Sequence, residues 1–401
     1  MREVVIVDAV RTPIGRYKGA LKNIRPDDLG SIVIKSLLER NPDMPKDQIE
    51  EVVFGNANGA GEENRNVARM SALLADLPIE VGGTTINRLC GSGLDAVSYA
   101  ARAIMADEGD IFIAGGTESM TRAPFVMGKP DVEFPRGNRE MFDTTIGWRF
   151  VNPVLEEKYG IDSMPETAEN VAKDYNIGRE EQDQFAYESQ MKAKRAMEEG
   201  RLKDEIVPVV YKDRRGNEIV VDTDEHPRPN SSLEKLSTLK PLFKDGTITA
   251  GNASGINDGA SALLLMSKEK ADELGLKPLA KYITSATAGV EPRVMGLGPI
   301  HASRKALKRA GLSSSDLGLV ELNEAFASQS LECIRQLELS PSRVNVNGGA
   351  IAYGHPLGAS GARILTTLVH EMRKQNTRYG LATMCIGVGQ GIAAIVEGYD
   401  Y

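Results

Sequence analysis

The chain has 401 residues, of which 41% are hydrophobic and 26% are charged, and its formal net charge is -8 at pH 7. This length predicts more than one domain, because domains average about 150 residues. The ordinary composition is typical of a globular protein, and the acidic balance argues against nucleic-acid binding, because the surface as a whole repels a polyanion.

The cysteines and the termini set the expected compartment. Three cysteines are too few for a disulfide framework in a chain of this length, so we expect a reducing environment. The N-terminal stretch lacks the apolar core and cleavage site of a signal peptide, and no apolar run is long enough to span a bilayer. We therefore expect a cytoplasmic protein that does not contact membranes. No pair of Cys or His has the spacing of a zinc site, so no metal is expected.

Short apolar runs alternate with amphipathic stretches along the chain. Helices are predicted for Asp28–Glu39 and Leu94–Ala106, because their apolar residues recur on one face. Strands are predicted for the runs rich in Val and Ile, which are Val4–Val7, Val52–Phe54, Ile111–Ala114 and Ala393–Val396. Such alternation is typical of an α/β protein with buried sheets.

The region from about residue 121 to residue 250 differs from its flanks. It is rich in proline and in charged residues. Two helices are predicted inside it, from Met164 to Tyr175 and from Arg179 to Glu199. Pro165 and Glu166 fall in the first turn of the first helix, where proline and acidic side chains are favoured. We interpret this region as an inserted, loop-rich subdomain.

Two segments far apart in the chain have the same order of features. Residues 34–58 and residues 303–328 each run from a helix through an acidic turn into a strand that ends at an Asn. A weaker similarity links residues 111–120 with residues 381–391, since both run from a strand into a glycine-containing turn. The pattern indicates an internal duplication, and the alternative is two ordinary helix-to-strand units.

Cys90 is the first candidate for chemistry. It follows the predicted strand Thr84–Ile86 and precedes Gly91-Ser92-Gly93 and a helix. A helix N-terminus and free backbone N–H groups favour a thiolate, and glycines let a substrate carbonyl approach the backbone. The alternative is a buried structural cysteine, which is the commoner role.

His355 and Cys385 lie in two further glycine-rich turns. His355 is the one histidine in a rigid Gly/Pro turn at a predicted helix start, so it is a candidate base in a chain that offers a nucleophile. We interpret His370 as a surface residue. Cys385 ends a predicted strand, and its alternative role is again that of a buried hydrophobe. Cys333, inside the predicted helix Ala325–Leu337, is interpreted as a core residue.

Together these stretches resemble the signature motifs of the thiolase family, in the family's order and over essentially the whole chain. Each motif alone is weakly specific, but the ordered set is highly specific. The matching stretches include NRLCGSG at Asn87–Gly93, ELNEAFAS at Glu321–Ser328, GHPLGASG at Gly354–Gly361 and CIGVGQG at Cys385–Gly391.

The resemblance implies a fold and a domain organisation. The fold is an α/β fold in which two similar halves form five layers, α/β/α/β/α, with a loop domain inserted in the first half. Residues 1–120 and 251–272 would form the N-terminal half, and residues 121–250 the inserted loop domain. Residues 273–401 would form the C-terminal half.

The resemblance also implies roles for individual residues. Cys90 matches the acylated nucleophile, His355 the base that activates it, and Cys385 a second, acid/base cysteine. Asn323 matches the residue that holds a water beside the thioester oxygen, and Gly387 would form a second oxyanion hole with the backbone of Cys90. The residues that match substrate or CoA contacts are Ser254, Arg228, Met164, Met295 and Phe326, with Ser254 at the pantetheine end and Arg228 at the nucleotide end.

The implied activity is acyl transfer from a 3-oxoacyl-CoA to CoA. It gives acetyl-CoA and a shortened acyl-CoA by a ping-pong mechanism through an acyl group on Cys90. CoA is a substrate in this reaction, and no cofactor is needed. The family also implies a homodimer or homotetramer, and the loop from Pro124 to Arg136 would bridge two dimers into the tetramer.

One departure from the family bears on the substrate. Short-chain acetoacetyl-CoA thiolases often have His-Met-Gly before TAEN, whereas this chain has Ser163-Met164-Pro165. The stretch FDTTIGWRFVNP, at Phe142–Pro153, resembles the branch that includes 3-oxoadipyl-CoA thiolases. We therefore expect a medium-chain or 3-oxoadipyl substrate, in fatty-acid metabolism or aromatic degradation, over a strictly acetoacetyl one.

Two other functions are compatible with parts of the pattern. One is another condensing enzyme of the same superfamily, similar to a 3-ketoacyl synthase, which the pairing of Cys385 with His355 disfavours. The other is a non-catalytic acyl-CoA-binding protein. The presence of every expected catalytic residue disfavours it.

Overall fold

A computed structural model describes residues 2–399 of the chain. Its strands are β1 Val4–Arg11, β2 Gly15–Arg16, β3 Ile49–Gly55, β4 Gly82–Ile86, β5 Ile111–Ser119, β6 Phe125–Val126, β7 Phe142–Asp143, β8 Val209–Lys212, β9 Glu218–Val221, β10 Asn257–Ser267, β11 Ala280–Gly289, β12 Leu319–Leu322, β13 Tyr379–Ile386 and β14 Gln390–Gly398. Its α-helices are α1 Pro26–Arg40, α2 Val67–Leu74, α3 Ser92–Met105, α4 Pro153–Tyr159, α5 Met164–Asp174, α6 Arg179–Glu198, α7 Leu233–Ser237, α8 Lys268–Glu273, α9 Gly298–Ala310, α10 Ala327–Gln336, α11 Ala350–Tyr353 and α12 Leu357–Gln375.

The strands and helices predicted from the sequence are present, with shifts at their ends. One shift has a visible cause: α10 begins at Ala327, although the pattern predicted Ala325. Phe326 instead forms an isolated antiparallel bridge with Ala253. Its φ of -146° and ψ of 151° are extended, so the helix cannot begin before it.

The main sheet consists of two halves with the same strand order. The first half is ordered β4-β3-β5-β10-β1 and the second β12-β13-β14-β11. Val344 forms a parallel bridge with Val320 of β12, so it takes the position beside β12 that β4 takes beside β3. The corresponding pairs β3-β5 and β12-β13 are parallel. The pairs along β5-β10-β1 and along β13-β14-β11 are antiparallel. This repeat confirms the predicted internal duplication.

Helices and sheet halves alternate as five layers. Helices α3 and α12 lie in the middle and share one hydrophobic core with the inner faces of both sheet halves. Helices α1 and α2 cover the outer face of the first half, and α9 and α10 cover that of the second. The halves join where Val4–Ile6 pairs with residues 280–282. The predicted five-layer α/β fold is therefore confirmed.

The two central helices approach each other very closely at their N-terminal ends. A Cβ atom at Gly93 of α3 would lie 2.7 Å from the carbonyl oxygen of Gly358, and one at Gly361 of α12 would lie 2.3 Å from the backbone nitrogen of Leu94. No side chain fits at either position. The turns that precede α3 and α12, which carry Cys90 and His355, are consequently held together at one end of the central layer.

The inserted region lies between β5 and β10. It contains the two small sheets β6-β7 and β8-β9 and helices α4 to α7. Helix α5 packs against α10, and α6 against α10 and α11. The region thus reaches the second half of the fold, although it is inserted in the first. The domain limits at residues 120, 250 and 272 stay a prediction.

Two further features concern single residues and the whole chain. Over residues 2–399, no helix is long and apolar enough to cross a membrane. The interpretation of His370 as a surface residue is wrong, because its side chain is buried and its Nε2 lies 2.8 Å from the carbonyl oxygen of Ala9. Cys333 is buried in the core, as predicted.

Candidate active site

Cys90 lies in a tight turn between β4 and α3, two residues before the first helical residue, Ser92. The Ser92 hydroxyl accepts a hydrogen bond from the Arg88 N–H at 2.8 Å, and the Asn87 side chain accepts one from the Leu89 N–H at 2.9 Å. Leu89 has a φ of 47°, a region that residues with a bulky side chain rarely adopt. Such backbone strain persists only where surrounding contacts enforce it, so the position of Cys90 is fixed by the fold.

The thiol of Cys90 is protonated in the resting site. Burial raises the pKa of Cys90 to about 11, although a hydrogen bond from the backbone N–H of Gly387 acts in the opposite direction. The backbone N–H groups do favour the thiolate, as expected for this turn, but desolvation of the charged form outweighs them. A base has to take the proton when the sulfur reacts.

His355 follows Gly354, whose φ is 101°, and precedes α12. Its backbone N–H donates to Asn257 Oδ1 at 3.0 Å, and its Nδ1 lies 2.6 Å from the hydroxyl of Ser360. That hydroxyl donates to the carbonyl oxygen of Pro356 at 2.9 Å. Because a hydroxyl carries one proton, the arrangement that satisfies both contacts has Nδ1–H donating to Ser360.

The other nitrogen of this imidazole is left as a free acceptor. Nε2 of His355 is buried and has no hydrogen-bond partner among residues 2–399. Burial, together with the charge of Arg363, lowers the pKa of His355 to about 3. The imidazole is therefore neutral, with an unprotonated and unoccupied Nε2, which is the state that a general base requires.

Cys385 and Gly387 lie where β13 ends and turns back into β14. Val388 in this turn has a φ of 63°, so the turn is strained, like that of Cys90. Cys385 is buried, and its pKa is raised well above the usual range by burial and by the neighbouring Cys90. Its side chain belongs to an apolar cluster with Met164, Met295, Phe326 and Ala325.

Asn323 directly follows β12, with its backbone N–H donating to the carbonyl oxygen of Thr383 at 3.0 Å. Its side chain is buried, and neither Oδ1 nor Nδ2 has a partner in the part of the chain that the structure describes. A buried amide without partners is costly and uncommon in proteins. Such a group is suited to hold a water or a polar atom of a substrate.

A cavity of about 220 Å³ borders Cys90. Met164 and Gly387 also line it, so the structure brings these three predicted site residues together. The remaining wall is largely apolar and includes a loop of the inserted region, residues 144–149. An apolar cavity that ends at a nucleophile is suited to hold an acyl chain.

Sequence reasoning gave no role to Glu118, which is buried and lines the same cavity. Its carboxylate accepts hydrogen bonds from the backbone N–H groups of Ala57 at 2.8 Å, Asn58 at 3.2 Å and Gly358 at 2.8 Å. It thereby ties the loop after β3 to the start of α12. Its signal in the sequence was an acidic residue at the end of an otherwise apolar strand.

The two predicted CoA contacts lie in different surroundings. Ser254 is partly exposed, and its N–H donates to the carbonyl oxygen of Ala325 at 2.9 Å, beside Asn323 and Phe326. Arg228 is exposed and does not line the cavity at Cys90. Its loop nevertheless packs on the segment of Ser254, since a Cβ at Gly255 would lie 2.3 Å from His226.

Comparison with known proteins gives consistent matches over the full length. The family model described as "Thiolase, N-terminal domain" matches residues 4–269, and "Thiolase, C-terminal domain" matches residues 276–398. A protein of Escherichia coli K12 named "3-oxoadipyl-CoA/3-oxo-5,6-dehydrosuberyl-CoA thiolase" is 58% identical over 99% of this chain and 100% of its own. A "Beta-ketoadipyl-CoA thiolase" of Acinetobacter baylyi is 56% identical over the same shares.

A solved structure extends the similarity to the fold. The crystal structure of the Bacillus anthracis acetyl-CoA acetyltransferase superposes with a TM-score of 0.92 at 41% identity, covering 99% of both chains. The sequence and structural matches thus agree on one family.

Proposed function

The chain belongs to the thiolase family and is an acyltransferase that uses CoA as a substrate, and we propose that it prefers a 3-oxoacyl-CoA whose chain ends in a carboxylate, as in 3-oxoadipyl-CoA. The observation that carries this preference is the 58% identity, over the full length, with a relative named for that substrate. The replacement of His-Met-Gly by Ser163-Met164-Pro165 also supports a substrate longer than acetoacetyl-CoA.

In the proposed reaction Cys90 is the nucleophile and His355 is its base. The thiol and the imidazole are both neutral at rest, as their pKa values of about 11 and about 3 require. The thiol proton passes to Nε2 of His355 while Sγ forms a bond to the 3-oxo carbon of the substrate. Proton transfer during attack avoids a resting ion pair, which burial would disfavour.

Negative charge then develops on the former 3-oxo oxygen. The backbone N–H groups of Cys90 and Gly387 are the proposed donors to this oxygen, and the strained turns that carry them support a preorganised arrangement. The bond between C2 and C3 breaks, and acetyl-CoA leaves as an enolate. A water on the free amide of Asn323 would stabilise the enolate oxygen, and the Cys385 thiol would protonate C2.

The second half-reaction returns the enzyme to its starting state. The thiol of an incoming CoA gives its proton to the Cys385 thiolate and attacks the acyl group on Cys90. The Cys90 sulfur leaves and takes its proton back from Nε2 of His355. With 3-oxoadipyl-CoA the products are acetyl-CoA and succinyl-CoA. We place the acyl chain on Cys90 in the adjoining cavity, which Met164 lines. Met295 and Phe326, which share one apolar cluster with Met164 and Cys385, would contact the reacting end of the substrate. Ser254 and Arg228 are the proposed contacts to the pantetheine and nucleotide parts of CoA.

We also propose that the protein is a homodimer or homotetramer in a reducing cytoplasm. Apolar side chains lie exposed on and beside the loop from Pro124 to Arg136, including Phe125, Met127, Val132 and Phe134, and Phe134 is 83% exposed. Covering such side chains with a second copy of the chain would remove apolar surface from water. The division into residues 1–120 with 251–272, 121–250 and 273–401 is part of the same proposal.

Initial rates of CoA-dependent cleavage test the substrate preference. The panel is 3-oxoadipyl-CoA, 3-oxohexanoyl-CoA and acetoacetyl-CoA, each assayed over a range of concentrations. We expect the highest kcat/KM for 3-oxoadipyl-CoA. A higher kcat/KM for acetoacetyl-CoA or for 3-oxohexanoyl-CoA would contradict the proposed substrate class.

A further inference from the structure

An arginine stands in the wall of the otherwise largely apolar cavity at Cys90. Arg149 lines this cavity together with Leu89, Met120, Trp148 and Leu357. Its side chain is partly buried, so its charge is less well solvated than that of a surface arginine. The proposed catalytic steps use no cation at this place.

The loop that carries Arg149 is anchored to the first half of the fold. The side-chain amide of Asn58 donates to the carbonyl oxygen of Thr144 at 3.1 Å and to its hydroxyl at 3.0 Å. The backbone N–H of Asn58 in turn donates to Glu118. The loop is therefore tied to the same buried carboxylate that holds the start of α12, and the cation has a defined place relative to the reacting sulfur.

Backbone strain marks the same loop. Gly147 has a φ of 94° and Phe150 a φ of 51°. Trp148 and Arg149 therefore lie between two residues whose backbone has a positive φ. Phe150 is a bulky residue in a conformation that rarely suits one, and its ring packs on that of Phe142 with centroids 5.1 Å apart. Backbone strain of this kind clusters at active sites and ligand clamps.

The guanidinium of Arg149 has no anionic partner within the described residues. Among the same residues its one polar contact is a long one, 3.5 Å from Nη2 to Oδ1 of Asn58. Two carboxylates also line the cavity, but both are engaged elsewhere. Glu118 accepts backbone N–H groups, and Asp162 accepts from the Asn170 side chain at 2.8 Å.

We propose that Arg149 binds the terminal carboxylate of a dicarboxylic acyl chain while the 3-oxo carbon lies at Cys90. Guanidinium and carboxylate form two parallel, charge-assisted hydrogen bonds, and the apolar wall between the two ends accommodates the methylene groups. The cation supplies a partner for the carboxylate that a methyl-ended chain does not need. This inference rests on the proposed function, because it explains how a 3-oxoadipyl chain would be preferred.

The test compares Arg149→Met and Arg149→Lys with the wild type. The substrates are 3-oxoadipyl-CoA and 3-oxohexanoyl-CoA, which have acyl chains of equal length and differ in the terminal group. We expect Arg149→Met to lower the ratio of their kcat/KM values by about 10- to 100-fold, the usual range for losing a hydrogen bond to a charged group. Arg149→Lys keeps the charge without the planar fork and should give an intermediate loss.

Arg139→Met is the matched control. Arg139 lies in the same inserted region and is exposed, and it does not line the cavity. If removing one positive charge acted at long range, both Met variants would lower the ratio equally. We expect the ratio to change for Arg149→Met alone, and equal changes would overturn the assignment.

Trp148 offers a direct measure of binding. It is the one tryptophan of the chain and lines the cavity beside Arg149, so its fluorescence reports on ligands there. In a Cys90→Ala background, which cannot be acylated, adipyl-CoA and hexanoyl-CoA are titrated with and without Arg149→Met. We expect the Kd of adipyl-CoA to rise by about 10- to 100-fold and that of hexanoyl-CoA to stay nearly constant.

The outcomes separate this inference from the proposed function. If the wild type prefers 3-oxohexanoyl-CoA, the proposed substrate class is wrong, whatever Arg149 does. If the wild type prefers 3-oxoadipyl-CoA and Arg149→Met leaves both the rate ratio and the ratio of Kd values unchanged, the function stands and the role of Arg149 is refuted. A parallel loss for both substrates would show that Arg149 supports the loop only.

Discussion

Nδ1 of His355 lies 2.6 Å from the hydroxyl of Ser360, one turn into the helix that follows the histidine turn. The same hydroxyl bonds the carbonyl oxygen of Pro356, so the imidazole is held in the tautomer that leaves Nε2 unprotonated. The residue that orients the base is thus supplied by the helix that begins beside it.

Replacing this hydroxyl should lower the rate without removing the base. We expect Ser360→Ala to lower kcat by about 5- to 10-fold, because one neutral hydrogen bond that orients His355 is lost. Ser98→Ala is the matched control, since the Ser98 hydroxyl also bonds the carbonyl four residues earlier in a buried helix, Leu94. Both variants should show similar changes in Tm. A similar loss of kcat in the control would indicate a purely structural effect.

The two cysteines of the candidate site should fail at different steps. We expect Cys90→Ser to form no acyl-enzyme, because a hydroxyl is a far weaker nucleophile than a thiol at the same pH. Cys385→Ser should still be acylated by acetyl-CoA, yet lose at least about 100-fold in turnover, because the second proton transfer is impaired. Mass spectrometry of the intact protein distinguishes the two. Cys333→Ser, in the core, is the control for substituting a buried thiol, and full turnover in either site variant would refute the assigned roles.

The raised pKa of Cys90 predicts how its alkylation depends on pH. Because the folded site has a thiol pKa of about 11, the thiolate is a small fraction at neutral pH and grows about tenfold for each unit of pH below that value. The alkylation of Cys90 by iodoacetamide is followed by peptide mass spectrometry in a Cys333→Ser background. Its rate should rise between pH 6 and 10 without levelling off, because the upper end of this range is still ~1 unit below the pKa. A plateau near pH 7 would mean a thiolate at rest.

Close packing of the central helices predicts that Gly361→Ala is harmful. A Cβ there would lie 2.3 Å from the backbone nitrogen of Leu94, which is too close for any contact, so α3 and α12 must separate. We expect a loss of about 1–3 kcal/mol in the free energy of unfolding and a reduced kcat, because the turns of Cys90 and His355 move with their helices. Gly59→Ala, where an added Cβ meets open space, is the control for thermal and kinetic assays. Equal stability of the two variants would contradict the packing argument.

Much of the fold was accessible from the sequence, because its signals are local. Strands such as β1 and helices such as α5 follow from runs and periods of apolar residues within a few turns of chain. The duplication was visible because residues 34–58 and 303–328 keep the same order of elements. The ends of elements were less predictable, as at Phe326, where an isolated bridge to Ala253, far away in the sequence, delays the start of the helix.

The sequence by itself predicted Cys90, His355 and Cys385 as site residues from their glycine-rich or strand-ending turns, and the resemblance to the thiolase family added Asn323. Only the tertiary structure decided the protonation of Cys90, which depends on how much water the surrounding layers exclude. It also decided that His370 is buried and that Arg149 lines the cavity of Cys90. These facts arise from contacts between segments far apart in the chain, and solvation is a property of the packed whole that no local pattern encodes.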